Sequence, residues 1–67
     1  MHYEIRVNGV LDSSWSAWLD GLRVTGDGHG QTLIEGPVAD QAALHGLLAK
    51  VRDLGLELLV VRRTNAD

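Results

Sequence analysis

The chain contains no cysteine, few basic residues and no long apolar run, and each absence closes a class of function. Without cysteine there is neither a disulfide nor a thiolate metal site. Lysine and arginine number 6 against 9 acidic residues, a formal net charge of −3, and the one adjacent basic pair is Arg62-Arg63. A nucleic-acid surface needs clustered basic charge, so no nucleic-acid partner is expected. No apolar segment approaches the ~18–20 residues of a membrane span. The opening residues Met1, His2, Tyr3 and Glu4 lack the charged-then-apolar pattern of a signal peptide. A cytoplasmic protein without a membrane partner is therefore expected. Repeats, low-complexity stretches and linkers are also missing.

What is present is the composition of a globular domain, with 45% hydrophobic and 22% charged residues over 67 positions. That length allows one domain, spanning 1–67, with one core. Such a core is thin, and net stability is roughly 3–5 kcal/mol for domains of this size. With disulfides excluded, self-association is the remaining source of support, and a homodimer or higher homo-oligomer is expected.

Local patterns divide the chain into six elements. Tyr3, Ile5 and Val7 alternate with Glu4, Arg6 and Asn8, the pattern of a half-buried strand, and Gly9 ends it. Asp12, Ser13 and Ser14 are helix-capping residues. After them Trp15, Trp18, Leu19 and Leu22 fall at helical spacing, which predicts a short helix from Ser14 to Leu19. Leu22 to Thr25 predicts a second strand. The run Gly26, Asp27, Gly28, His29 and Gly30 reads as a hairpin turn, and Gln31 to Glu35 as a third strand, broken by Gly36-Pro37. Asp40 caps a helix whose stripe is Leu44, Leu47, Leu48, Val51 and Leu54. Lys50 and Arg52 lie near its end, where cations suit the helix dipole, and Gly55 lies just beyond. Leu56 to Val61 predicts a last strand.

This order predicts an α+β domain of the ferredoxin-like βαββαβ type. Right-handed crossovers would place two helices on one face of a four-stranded antiparallel sheet ordered 4-1-3-2. The other face would hold Glu4, Arg6, Arg23 and Thr25. The last strands carry apolar residues on both faces: Leu33 beside Ile34, and Leu58, Leu59, Val60 and Val61 in a row. Strands apolar on both sides call for cover on both sides, and two helices cover one. A second copy of the chain, packed sheet on sheet or edge to edge, resolves the mismatch.

Four residues are candidates for a ligand site. Trp15 and Trp18 could line a pocket beneath the first helix, or could belong to the core. His45, with Gln41 one turn before it and Asp40 nearby, could act as an acid or base near neutral pH, or could simply flank the apolar stripe. Gly46 inside the same helix costs roughly 1 kcal/mol relative to alanine and implies close approach of another backbone or a ligand. No metal site is expected: His2, His29 and His45 lie in three different elements without ligand spacing. The glycine loop joins two strands and so is no phosphate fingerprint. Ser13, Ser14 and Ser16 are accounted for by capping, and no catalytic constellation or cofactor motif is present.

The run Asp40-Gln41-Ala42-Ala43-Leu44-His45-Gly46-Leu47-Leu48, continued by Val51-Arg52-Asp53-Leu54-Gly55-Leu56, resembles a family of short uncharacterised bacterial proteins. Trp15-x-x-Trp18-x-x-Gly21-Leu22 and Gly30-x-Thr32-x-Ile34-x-Gly36-Pro37-Val38 are similar to the same family. The resemblance covers nearly the whole chain and implies a complete single-domain protein without an established activity. It marks Trp15, Trp18, Asp40, Gln41, His45 and Gly46 as motif positions.

Two functions are weighed against each other. One is a small homo-oligomeric interaction or regulatory module that binds a small molecule or a partner protein, an analogy at the level of fold. The other is a cofactor-free enzyme resembling the dimeric α+β-barrel monooxygenases and isomerases, with His45 as acid or base beneath the tryptophans. Whether the tryptophans and His45 border a common cavity separates the two.

Overall fold

The alternation at the N-terminus builds the central strand of the molecule. In the computed structural model, which describes residues 1–64, β1 (His2–Asn8) buries Tyr3, Ile5 and Val7 on one face. It pairs antiparallel with β3 (Gln31–Pro37) on one side and β4 (Glu57–Thr64) on the other. The short β2 (Arg23–Gly26) joins the far side of β3, so the sheet runs β2-β3-β1-β4 with every neighbouring pair antiparallel. β3 turns Thr32, Ile34 and Gly36 to the core. The adjacent pair resolves accordingly: Ile34 is fully buried, and Leu33 is half-buried on the opposite face across from Arg6.

One helix covers the buried face. α1 (Gln41–Asp53) begins where the Asp40 carboxylate accepts the Ala43 N–H at 2.8 Å, satisfying one of the free donors of the first turn. Leu44, Leu47 and Val51 are buried, and Leu48 and Leu54 are half-buried. Burial of each such side chain contributes about 1.5–3 kcal/mol, so this stripe and the β1 residues beneath it make up most of the core.

The expected two-helix ferredoxin-like βαββαβ arrangement is not what the chain forms. Between β1 and β2 stands only a 3₁₀ turn at Ser13–Ser16, so the sheet carries one helix. The reason is local. Asp12 accepts the backbone N–H of Ser14 at 2.8 Å and also bonds its hydroxyl, while Ser16 Oγ donates to the Leu22 carbonyl at 2.6 Å. These bonds offer the backbone an alternative to helix. Asp20 and Gly21 then take left-handed angles, φ 61° and 77°, which reverses the chain before a helix could propagate. The helical spacing of Leu19 and Leu22 is real but serves the turn: both are buried, whereas Trp15 and Trp18 are exposed.

Strand ends also differ from expectation. β3 continues through Gly36-Pro37 because His2 and Tyr3 pair with Pro37 and Gly36. Gly36 is required there: its φ is 153°, and a Cβ would lie 3.1 Å from Leu22 Cγ. The loop after β1 is tied down by Thr32, whose buried hydroxyl donates to the Gly9 carbonyl at 2.7 Å and accepts the Leu11 N–H at 3.1 Å.

Candidate interaction surface

β4 is an edge strand, hydrogen-bonded to β1 on one side only. Its four apolar residues are all exposed: Leu58 46%, Leu59 39%, Val60 39% and Val61 38%. Alternation would place two of them on each face, but the pairing with β1 is irregular. Val7 faces Leu58 and Arg6 faces Val60, so Leu59 is an extra residue, a β-bulge. Beyond it Val61 pairs with Ile5 and Arg62 with Glu4. Leu58 and Val61 therefore share the helix side with Val7 and Ile5. Glu57 and Arg62 share the open face, where Glu57 accepts from Asn8 Nδ2 at 3.2 Å and Arg62 donates to Glu4 at 2.8 Å.

The four residues singled out from sequence sit in two places. Trp15 and Trp18 meet edge to face, ring centroids 5.8 Å apart at 81°. Lys50 holds them to α1: its ammonium donates to the Trp18 carbonyl at 3.1 Å and to Asp20 at 2.8 Å, and lies 5.8 Å from the Trp18 ring centroid. Gln41 and His45 lie on the exposed side of α1 near its start, and Gln41 Nε2 approaches the Tyr3 hydroxyl at 3.4 Å. Lys50 is nine residues beyond Gln41, or about 13 Å along a helix axis. The tryptophans thus come together with Lys50 and Asp20, two residues that sequence reasoning did not pick out. Only the cation in the last helical turn hinted at them. Gly46 is exposed, and a Cβ there would meet nothing within 4 Å, so no backbone approaches it.

Two open grooves lie elsewhere. One of about 370 Å³ is bordered by His2, Arg23 and Glu35, and another of about 240 Å³ by Asp20, Val38, Ala43 and Leu47; Leu22 and Pro37 border both. Neither is lined by Trp15, Trp18, Gln41 or His45. Among the described residues no group of three or more His, Asp or Glu side chains is placed to hold a metal ion. No helix among them is long and apolar enough to cross a membrane.

The shifted carboxylates belong to turns. Asp27 is held below the ordinary carboxylate range by the backbone N–H of His29 and then that of Gln31, which bond it at 2.7 and 3.1 Å. Asp12 is lowered by the Ser14 hydroxyl and then the Ser14 N–H. Hydrogen bonds to the ionised form cause both shifts, and the Asp27 bonds close the hairpin between β2 and β3. His29 contributes its backbone to that turn.

No curated protein and no solved structure matches the chain significantly. A family model described as Domain of unknown function (DUF8691) matches residues 2–62. It takes in β1 through most of β4, the bulge and Arg62 included, and on that match the chain belongs to the DUF8691 family.

Proposed function

We propose that this protein is a small cytoplasmic homo-oligomeric interaction module that associates through β4. One observation carries the reading: an edge strand with four consecutive exposed apolar residues, Leu58 to Val61. An edge strand presents unpaired backbone donors and acceptors, and natural edges are ordinarily blunted with charge, proline or cover. Here residues 58 to 61 carry no charge or proline and lie uncovered; the bulge at Leu59 is the one blunting device among them, and Glu57, Arg62 and Arg63 flank them. Pairing with another strand satisfies the backbone and removes apolar surface from water together. The bacterial setting implied by the resemblance fits a reading in which a small chain gains stability by assembling. Further support comes from the placement of His45, which faces solvent and, like the tryptophans, lines neither of the two grooves described above.

Sedimentation velocity across a concentration series tests the proposal. The native chain is expected to shift from monomer to a larger species, and Leu59→Lys to shift only at much higher concentration. A native chain that stays monomeric at several hundred micromolar refutes it.

A further inference from the structure

The chemistry of β4 reads in a particular order: acidic Glu57, four apolar residues, basic Arg62. Aligned antiparallel against itself, this segment sets Glu57 opposite Arg62, Leu58 opposite Val61 and Leu59 opposite Val60. Within residues 57 to 62 every pair then joins apolar to apolar or acid to base, and Arg63 lies beyond them, opposite Leu56. Such a match requires more than composition. A two-fold axis perpendicular to a sheet keeps each face on its own side, so partners across it must share a face. In a regular strand, residues five apart point to opposite faces.

The bulge at Leu59 removes that obstacle. It adds one residue between Leu58 and Val60, which brings Glu57 and Arg62 to the open face and Leu58 and Val61 to the helix side. The hydrogen bonds from Asn8 to Glu57 and from Arg62 to Glu4 establish the first of these placements directly. Bulges re-aim side chains and recur at sheet edges as built features.

We infer that β4 pairs antiparallel with β4 of a second copy, in the register that sets Glu57 of each chain opposite Arg62 of the other. The inference rests on the interaction-module reading and names its partner and geometry. The Arg62 side chain is 64% exposed while bonding Glu4, and a guanidinium has donors for a second carboxylate. The dimer thus carries two Glu4–Arg62–Glu57 arrangements, one on each side of the axis. The two sheets join into one continuous eight-stranded sheet, with the apolar side chains of the two edges packed side by side across the axis.

Charge reversal tests the register. Glu57→Arg and Arg62→Glu each place like charges opposite each other twice in the homodimer. Each variant alone is expected to need at least about ten-fold higher concentration to associate than the native chain. An equimolar mixture restores opposite charges at both positions and should regain native association as a heterodimer. Circular dichroism establishes that each variant is folded. Since Arg62→Glu also loses its bond to Glu4, Glu57→Gln against Glu57→Arg gives a second comparison, in which arginine must weaken association more than glutamine. A native dimer unmoved by these reversals, or a mixture that fails to associate, overturns the register and leaves the module standing. A native monomer at several hundred micromolar overturns both.

Discussion

Replacing Thr32 with valine removes one hydroxyl and two hydrogen bonds. Thr32 has no solvent exposure, and its Oγ1 ties the Gly9 carbonyl, at 2.7 Å, to the Leu11 N–H, at 3.1 Å. Valine matches the shape of threonine without its hydroxyl, so both backbone groups lose their partner. A buried unsatisfied group costs about 1–3 kcal/mol. These two groups are partly buried, which puts each at the low end and the sum at about 2 kcal/mol. For a domain of this size, stability falls by about 1 kcal/mol per molar urea, so the midpoint should drop by about 2 M with an unchanged slope. Thr32→Ser is the control. It keeps both bonds and loses a methyl group worth about 0.8 kcal/mol, so serine must be the more stable of the two. All melts are compared at one protein concentration, because association shifts apparent stability. A valine variant at least as stable as the serine variant refutes the reasoning.

Gly46→Ala should raise stability by about 1 kcal/mol, since the position is an exposed helix interior with open space for a Cβ; an unchanged or lower urea midpoint contradicts this. Asp27→Ala should lower the thermal midpoint at neutral pH by opening the hairpin turn. Because hydrogen bonds depress the folded pKa of Asp27 below its ordinary 3.8, this stabilisation is complete above that value and is lost as pH falls through the folded pKa. The gap between native and variant melting temperatures should therefore be constant from neutral pH down to about 5 and narrow as pH falls below 3.8, and a gap that stays constant or widens through that acid range contradicts the assignment.

Elements governed by local patterns were legible in the sequence. The alternation of Tyr3, Ile5 and Val7 located β1, and Asp40, the leucine stripe and Gly55 bounded α1 almost to the residue. The first crossover was not legible, because Leu19 and Leu22 fit a helix and a turn equally well. What decided between them were contacts that spacing does not carry: Ser16 to the Leu22 carbonyl, and Asp20 in a left-handed conformation held by Lys50. The tryptophans followed the turn outward for the same reason. Gly46 misled differently, since its cost in a helix is real but no packing contact accounts for it. In β4 the row of four apolar residues was visible, and in the single chain all four are exposed. The bulge was not visible, because register depends on the partner strand and is not encoded in β4 alone.

Pairing through β4 also fixes how far association can go. A two-fold contact uses the same patch on both copies and is closed once made, so neither β4 edge is left free. The outer edges of the joined sheet are then the two β2 strands. β2 is only four residues long, turns Arg23 and Thr25 to the open face and ends at Gly26. Short, charged edges of this kind resist further pairing. Association should therefore saturate at two copies, with the sedimentation coefficient reaching a plateau as concentration rises. A coefficient that climbs without limit would mean that β2 pairs as well, and that the polarity of its residues does not protect it. Arg23→Val with Thr25→Val makes the point testable from the other side. By removing the polar side chains from β2 while leaving β4 intact, it should convert a saturating dimer into an assembly that keeps growing.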